Sequence, residues 1–252
     1  MTRRPREISE AGFYHVIVRG NGKQLLFDDD ADRDAFLTLL TRFLEGTEVK
    51  VLAWCLMDNH VHLCLSEDPQ TGLDEISKIM RVLQTEYAKR FNGRTGHAGH
   101  IFQARFASMP INDGLYLLQA VRYIHNNPQK AGICPMAEYR WSSYSEYLGT
   151  PGLCDTAPVL DELGGVEGFI EFSNAEGDDG YRFRFGRHVD DADLSAVASC
   201  VLDGMDPRQL KGLPKEERDR RLRDLRSAGM TIDQTMRLTG IGRTTVANST
   251  RQ

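Results

Sequence analysis

Cys55-Leu56-Met57-Asp58-Asn59-His60-Val61-His62-Leu63-Cys64-Leu65 is the stretch from which the architecture follows. Two apolar, strand-like runs flank the polar pair Asp58-Asn59, a pattern that predicts a β-hairpin. Successive side chains of a strand point to opposite faces. His60, His62 and Cys64 therefore share one face, and Val61, Leu63 and Leu65 the other. One face can enter a hydrophobic core while the other holds two imidazoles close enough to grip one cation. A His-x-His pair is by itself more often a half-buried strand whose rings only hydrogen-bond, so its meaning depends on partners elsewhere in the chain.

Upstream, residues 13–19 (Phe-Tyr-His-Val-Ile-Val-Arg) read as a strand ending in the turn Gly20-Asn21-Gly22. A helix is predicted over 31–44, with Phe36, Leu39, Leu40 and Phe43 at three- and four-residue spacing behind an aspartate start signal at 28–30. Strands at 49–57 and 60–65 follow, then a helix over about 73–91 with Ile76, Ile79, Met80, Leu83 and Tyr87 on its buried stripe. A fourth strand is expected over 101–111. A third helix is expected over 113–126, stopped by Pro128, with Leu115, Leu118, Val121 and Ile124 facing the core. Residues 129–148 read as irregular, with Trp141, Tyr144 and Tyr147 packing back on the domain.

At 252 residues, 40% apolar, the chain can bury one sizeable core and a small second domain. No apolar run approaches a bilayer span, and the basic start (Arg3, Arg4, Arg6) leads into no apolar signal core. The five cysteines show no metal-finger spacing and fit a reducing compartment, so a cytoplasmic protein without a membrane partner is expected. The net charge of -5 hides an uneven distribution. Residues 1–150 carry 17 Lys/Arg against 18 Asp/Glu, 151–205 carry 3 against 12, and 206–252 carry 11 against 6. The expected organisation is a domain over 1–150, an acidic linker over 151–205 and a basic helical module over 206–252.

Between Ile76 and Ile111 stand Lys78, Arg81, Lys89, Arg90, Arg94 and Arg105 against Glu86 alone, interleaved with Phe91, Phe102 and Phe106. This basic run continues from a helix through a Gly-rich loop, which suits a nucleic-acid backbone better than a solvated helix face does. In the C-terminal module, a charged helix over 215–230 with Leu222 and Leu225 inward precedes helix 232–238, the turn Thr239-Gly240-Ile241-Gly242 and helix 243–250. That order is the helix-turn-helix signature, with Arg243, Thr244, Thr245 and Asn248 toward a DNA groove and Ile241 and Val246 anchoring.

The chemistry is expected from Arg122-Tyr123-Ile124-His125-Asn126-Asn127-Pro128. Tyr123 and Asn127 are four apart and share a helix face. Beside His60 and His62 they would form a site of two imidazoles, an amide oxygen and a phenol, with mixed ligation suited to Mg²⁺ or Mn²⁺. Cleavage of a DNA phosphodiester uses such a set: the phenol oxygen attacks in line and leaves a covalent phosphotyrosine and a free 3′-hydroxyl. A phenol with a pKa of about 10 must lose its proton during attack, to bound metal, a base or water.

The ordered segments Asp58-Asn59-His60-Val-His62-Leu, Tyr87-Ala-Lys-Arg-Phe-Asn92, His100-Ile-Phe-Gln103-Ala-Arg105-Phe, Arg122-Tyr123 with Asn127-Pro128, Lys130-Ala-Gly132 and Trp141-Ser-Ser-Tyr144 resemble the single-tyrosine HUH transposases of the IS200-like class. The similarity spans residues 11–148 and is nearest to the branch associated with repetitive extragenic palindromes. It implies an α+β fold, an antiparallel sheet flanked by helices (HUH/ferredoxin-like), here followed by the small all-α helix-turn-helix module. It also implies His60, His62 and Asn127 as metal ligands and Tyr123 as the nucleophile forming a 5′-phosphotyrosine; Arg122, next to Tyr123, is a candidate DNA contact. Where those enzymes usually carry Gln, this chain has Asn127. The implied activity is metal-dependent nicking and strand transfer of single-stranded DNA folded into hairpins, with a second copy of the chain as an optional partner.

Tyr87 is the rival nucleophile, but the residue four positions on is Phe91, which ligates nothing, so Tyr123 is favoured. His15 is read as reaching DNA or half buried; His97, His100 and His125 as loop or surface residues. The segment His60-Val-His62-Leu-Cys64 also mimics the strand of nucleotide hydrolases with a histidine nucleophile, yet lacks their third histidine. A catalytically silent or domesticated DNA-binding regulator is the non-enzyme alternative.

Overall fold

The computed structural model describes residues 6–175, 181, 194–202, 205–227 and 229–249. The chain divides into two compact units, Met1–Tyr181 and Arg182–Gln252.

The first unit is built on a four-stranded antiparallel sheet in the order β2-β3-β1-β4, from β1 (Phe13–Arg19), β2 (Lys50–Met57), β3 (His60–Ser66) and β4 (Ala107–Ile111). The 50–57 and 60–66 strands form the expected hairpin, Met57 opposite His60 across Asp58-Asn59. Two-residue alternation sorts the side chains. Tyr14, Val16 and Val18 of β1, Trp54 and Leu56 of β2, and Val61, Leu63 and Leu65 of β3 join one apolar core. Helices α1 (Asp30–Leu44) and α2 (Asp74–Thr95) cover this face with Phe36, Leu40, Ile76, Met80, Leu83 and Tyr87, all without exposed surface. Each such side chain contributes roughly 1.5–3 kcal/mol of burial free energy. The other face, carrying His15, His62, Cys64 and Cys55, is crossed by α3 (Gly114–His125), which packs on β2 and β3.

Helix α1 starts where Asp29 accepts from the Asp32 amide. Helix α2 has no capping side chain of its own. The buried Glu67 takes that place, accepting from the amides of Glu75 and Ile76 at 2.8 and 2.9 Å and placing a carboxylate where the helix dipole favours it.

Three sequence expectations change here. The fourth strand begins at Ala107 and not at 101, because residues 101–103 turn across the end of β1: Asn21 donates to the Ile101 carbonyl and Gln103 to that of Arg19. Leu115 is 63% exposed. The Asp113 cap starts α3 so that Leu117, Leu118, Val121 and Ile124 face inward, and Leu115 falls about a third of a turn off that stripe. His125 is fully buried; its Nε2 meets the Ser143 hydroxyl at 2.8 Å, and burial lowers its pKa to about 3.

The stretch expected as an acidic linker, 151–205, is divided between the two units. Asp155 donates its amide to Val51, and α6 (Ala157–Leu163) and α7 (Val166–Asn174) belong to the first unit. Short helices α4 (Asn127–Lys130) and α5 (Tyr144–Tyr147) lie between. Phe169 of α7 stacks on Tyr147 at 4.4 Å and flanks Tyr144 and His125, and with the buried Val159 of α6 it fastens this segment to the first unit. Trp141, Tyr144 and Tyr147 pack inward as expected.

In the second unit, α8 (Leu194–Val201), α9 (Lys215–Ser227), α10 (Ile232–Thr239) and α11 (Arg243–Ser249) surround Leu202, Leu210, Leu222, Leu225, Met230, Ile241 and Val246. Thr231 and Gln234 make a reciprocal capping box on α10. Gly240, at φ +63°, ends that helix in the left-handed conformation and lets the chain turn into α11. Residue 250, the expected end of the last helix, lies outside the described residues.

Arg94, expected on the basic DNA track, is held by aspartates instead. Its guanidinium pairs with the fully buried Asp32 carboxylate and, at 3.2 and 3.6 Å, with Asp28 and Asp29, tying the end of α2 to the start of α1. Arg94→Met leaves the Asp32 charge without its partner. Because the Arg94 side chain is 35% exposed and water can reach the site, the variant is expected to unfold at a lower urea concentration than the wild type, with a smaller shift than loss of a fully buried pair would give.

Candidate active site and nucleic-acid interface

On the α3 side of the sheet, His60 and His62 stand with ring centroids 4.9 Å apart and planes at 77°. Their Nδ1 atoms are both engaged: that of His60 lies 2.7 Å from Asn59 Oδ1, that of His62 2.8 Å from His15 Nε2. The nitrogen each ring can still offer is Nε2. Burial, with the nearby Arg19 charge second, lowers the His60 pKa to about 4. Burial lowers His62 well below the usual histidine range, and His60, His15 and Arg19 push the same way. Both rings are therefore neutral at neutral pH, the state in which imidazole ligates a metal.

Tyr123, near the end of α3, brings its ring within 5.8 Å of His62 and of His15. The Lys130 ammonium lies 4.8 Å from the centre of the same ring. Asn127 follows one turn on, past the break at Asn126. Its Nδ2 donates to the Tyr123 carbonyl at 2.8 Å, which caps α3 and leaves Oδ1 as the atom that can ligate. Among the described residues, no group of three or more His, Cys, Asp or Glu is arranged to hold a metal. The imidazole pair could hold a divalent cation together with oxygen donors such as water or substrate. Burial pushes the Cys64 thiol up to about 12, so on this face it is a small apolar neighbour, as expected.

Tyr87 is excluded as the nucleophile. It has no exposed surface, its hydroxyl donates to the Leu26 carbonyl at 2.5 Å, and its ring packs against Phe27 and Phe36. Burial pushes its phenol far above the ordinary tyrosine value.

Tyr181, Arg19 and Lys130 were missed as candidates at the site, and His15, read as reaching DNA or half buried, belongs to it. His15 is fully buried and hydrogen-bonded to His62 on one side and to the Tyr181 hydroxyl, at 2.9 Å, on the other. Tyr181 itself is buried 5.4 Å from Tyr123. Arg19 pairs with His60 across β1 and β3. Lys130 faces Tyr123 from beyond a helix break. The period of 13–19 already places His15 and Arg19 on one face, but which strand they meet is a matter of sheet order.

Away from the histidines, a groove of about 1090 Å³ runs between α2 and residues 99–106. It gathers Lys78, Arg81, Lys89 and Arg105 with Arg6, and Asp74 is the acidic residue in its wall. Lys78 and Lys89 pair with Glu75 and Glu86 in exposed i,i+3 contacts, which contribute little and exchange readily for a phosphate. Arg90 is exposed on α2 outside the groove. Arg122 donates to the Ala175 carbonyl and faces the Phe172 ring at 5.4 Å, so it serves α7. His97 and His100 are exposed, as expected, and His100 lines the groove. In the second unit Arg243, Thr244 and Asn248 are exposed and Thr245 partly so, with Ile241 and Val246 buried beneath. Arg243 pairs with Asp233 at 2.7 Å. No helix among the described residues is long and apolar enough to cross a membrane.

Comparison with known proteins bears on the fold of the first unit. Residues 9–127 match the family described as IS200-like transposases. A solved REP-associated tyrosine transposase bound to a REP hairpin superposes with a TM-score of 0.51 at 19% identity, over 75% of this chain and 99% of that one. A transposase structure from Deinococcus radiodurans R1 gives a TM-score of 0.33 at 21% identity, over 50% of this chain and 97% of its own. No curated protein matches the chain. With its antiparallel sheet, flanking helices and histidine pair, the domain over residues 9–127 belongs to the IS200-like transposase family.

Proposed function

We propose that the protein nicks single-stranded DNA at hairpin sequences and transfers the cut strand through a covalent 5′-phosphotyrosine on Tyr123. The observation that carries this reading is the convergence of Tyr123 with the neutral His60–His62 pair, while the rival Tyr87 is sealed in the core. Tyr123 Oη attacks the phosphorus, the P–O3′ bond breaks, and the phenol proton leaves as the 3′ oxygen departs as a hydroxyl. Attack by another 3′-hydroxyl reverses the step and releases Tyr123. His60 and His62, with Asn127 Oδ1, would hold Mg²⁺ or Mn²⁺, which when bound polarises a phosphoryl oxygen and stabilises its developing charge. Lys130 and Arg19 put positive charge beside the attacking ring and the histidines, where a phosphate must sit.

DNA reaches the site, in this reading, along the basic groove of α2 and residues 99–106. The likeness to a transposase solved with a REP hairpin supports a folded single strand as the substrate class. The exposed Arg243, Thr244 and Asn248 of α11, with the partly exposed Thr245, give the second unit a further DNA contact of helix-turn-helix type.

Incubation with labelled hairpin oligonucleotides and Mn²⁺ is expected to give a covalent protein–DNA adduct that EDTA abolishes. Tyr123→Phe is expected to lower it by at least about a thousandfold. Tyr87→Phe should keep the adduct and lose roughly 0.5–1.5 kcal/mol of stability with its buried hydrogen bond. Tight binding without any adduct would leave a DNA-binding regulator in place of an enzyme.

Arg81→Ser with Arg105→Ser is expected to weaken hairpin binding across sequences and to reduce the slope of log K against log salt by about 1 per residue. Fluorescence anisotropy at several salt concentrations reads this directly, and an unchanged slope would remove the groove from the DNA path.

A further inference from the structure

A fully buried histidine next to a ligating one has a use that the proposed chemistry does not yet assign. His15 lies on β1, its Nε2 2.8 Å from His62 Nδ1 and its Nδ1 2.9 Å from the Tyr181 hydroxyl. All three side chains are buried: His15 and Tyr181 have no exposed surface and His62 has 2%. The three groups form a row, Tyr181–His15–His62, that ends at the site. We propose that His15 is a positioning residue that accepts the proton of His62 Nδ1 and fixes that ring, so that Nε2 presents a lone pair when a divalent cation binds there.

Two neutral imidazoles carry one N–H each, and a single proton occupies the bond between them. If that proton belongs to His62 Nδ1, His15 accepts it at Nε2. His15 then carries its own proton on Nδ1 and donates it to the Tyr181 oxygen. His62 Nε2 is left with its lone pair. If the proton belongs instead to His15 Nε2, the Tyr181 hydroxyl donates to His15 Nδ1 and the His62 proton moves to Nε2, where it blocks ligation. A tyrosine hydroxyl both donates and accepts, so the row satisfies both nitrogens of His15 and Nδ1 of His62 in either sense. A cation at Nε2 selects the first. The acceptor at His15 then fixes the His62 ring plane and makes its lone pair more basic, as an outer partner of a ligating histidine does. Asn59 does the same for His60, its Oδ1 standing 2.7 Å from His60 Nδ1, so both rings turn Nε2 outward.

This inference rests on the metal reading of the histidine pair, and the test separates the two. Mn²⁺ binding to the full chain is measured by calorimetry for the wild type, His15→Leu, His15→Phe and His15→Gln, with melting curves of the metal-free proteins. The Leu and Phe variants have no acceptor for the Nδ1 proton and are expected to bind Mn²⁺ about 10–100-fold more weakly. His15→Gln carries an acceptor oxygen and is expected to recover most of the loss. A folded Leu or Phe variant with wild-type affinity overturns the proposal, as does a folded Gln variant that binds as weakly as Leu or Phe. A wild type that binds no Mn²⁺ removes the metal site itself, and the proposal with it, in a way that no His15 variant could imitate.

Discussion

The antiparallel pairing of β1 with β3 is the constraint on which the rest of this domain depends. Its register sets His15 opposite Cys64 and Arg19 opposite His60. Because side chains alternate along both strands, that one register sends Tyr14, Val16, Val61, Leu63 and Leu65 to the core under α1 and α2 and leaves the imidazoles together on the other face. A slip of one residue would exchange the faces, burying histidines in the apolar core and exposing its aliphatic residues. The energy that holds the site open to chemistry is therefore the burial energy of the opposite face.

The same division explains the electrostatics. The face crossed by α3 is dry enough to keep His15, His60 and His62 neutral, mainly through loss of hydration. The groove on the outer side of α2 is open and basic. Two positively charged features that look alike in the sequence have separate destinies: Arg81 and Arg105 line the groove, whereas Arg94 neutralises a buried aspartate at the seam between two helices. In the proposed reaction this separation would let backbone charge be met at the groove while the reacting phosphate meets a small set of fixed groups.

Residues beyond 150 belong to the domains more than their acidity suggests. Phe169 docks against Tyr147 and His125, and Tyr181 reaches His15. In such a segment the net charge describes the solvent side, and one or two aromatic residues decide where the chain lies.

The sequence by itself determined the hairpin, the two faces of β3, the first and third helices to within about a turn, and the pairing of Tyr123 with Asn127, because each depends on a period of two or on i,i+4 spacing within one element. The helix–turn–helix order of the C-terminal unit was readable for the same reason, from a glycine that a left-handed turn requires. What only the tertiary structure decided were contacts between elements. Sheet order brought residue 15 to residue 62. Helix packing buried Tyr87 and His125 and turned Leu115 outward. An ion-pair network claimed Arg94, and a helix break carried Lys130 back over Tyr123. No local pattern encodes these, since they follow from which apolar surfaces bury each other best once the whole chain has closed.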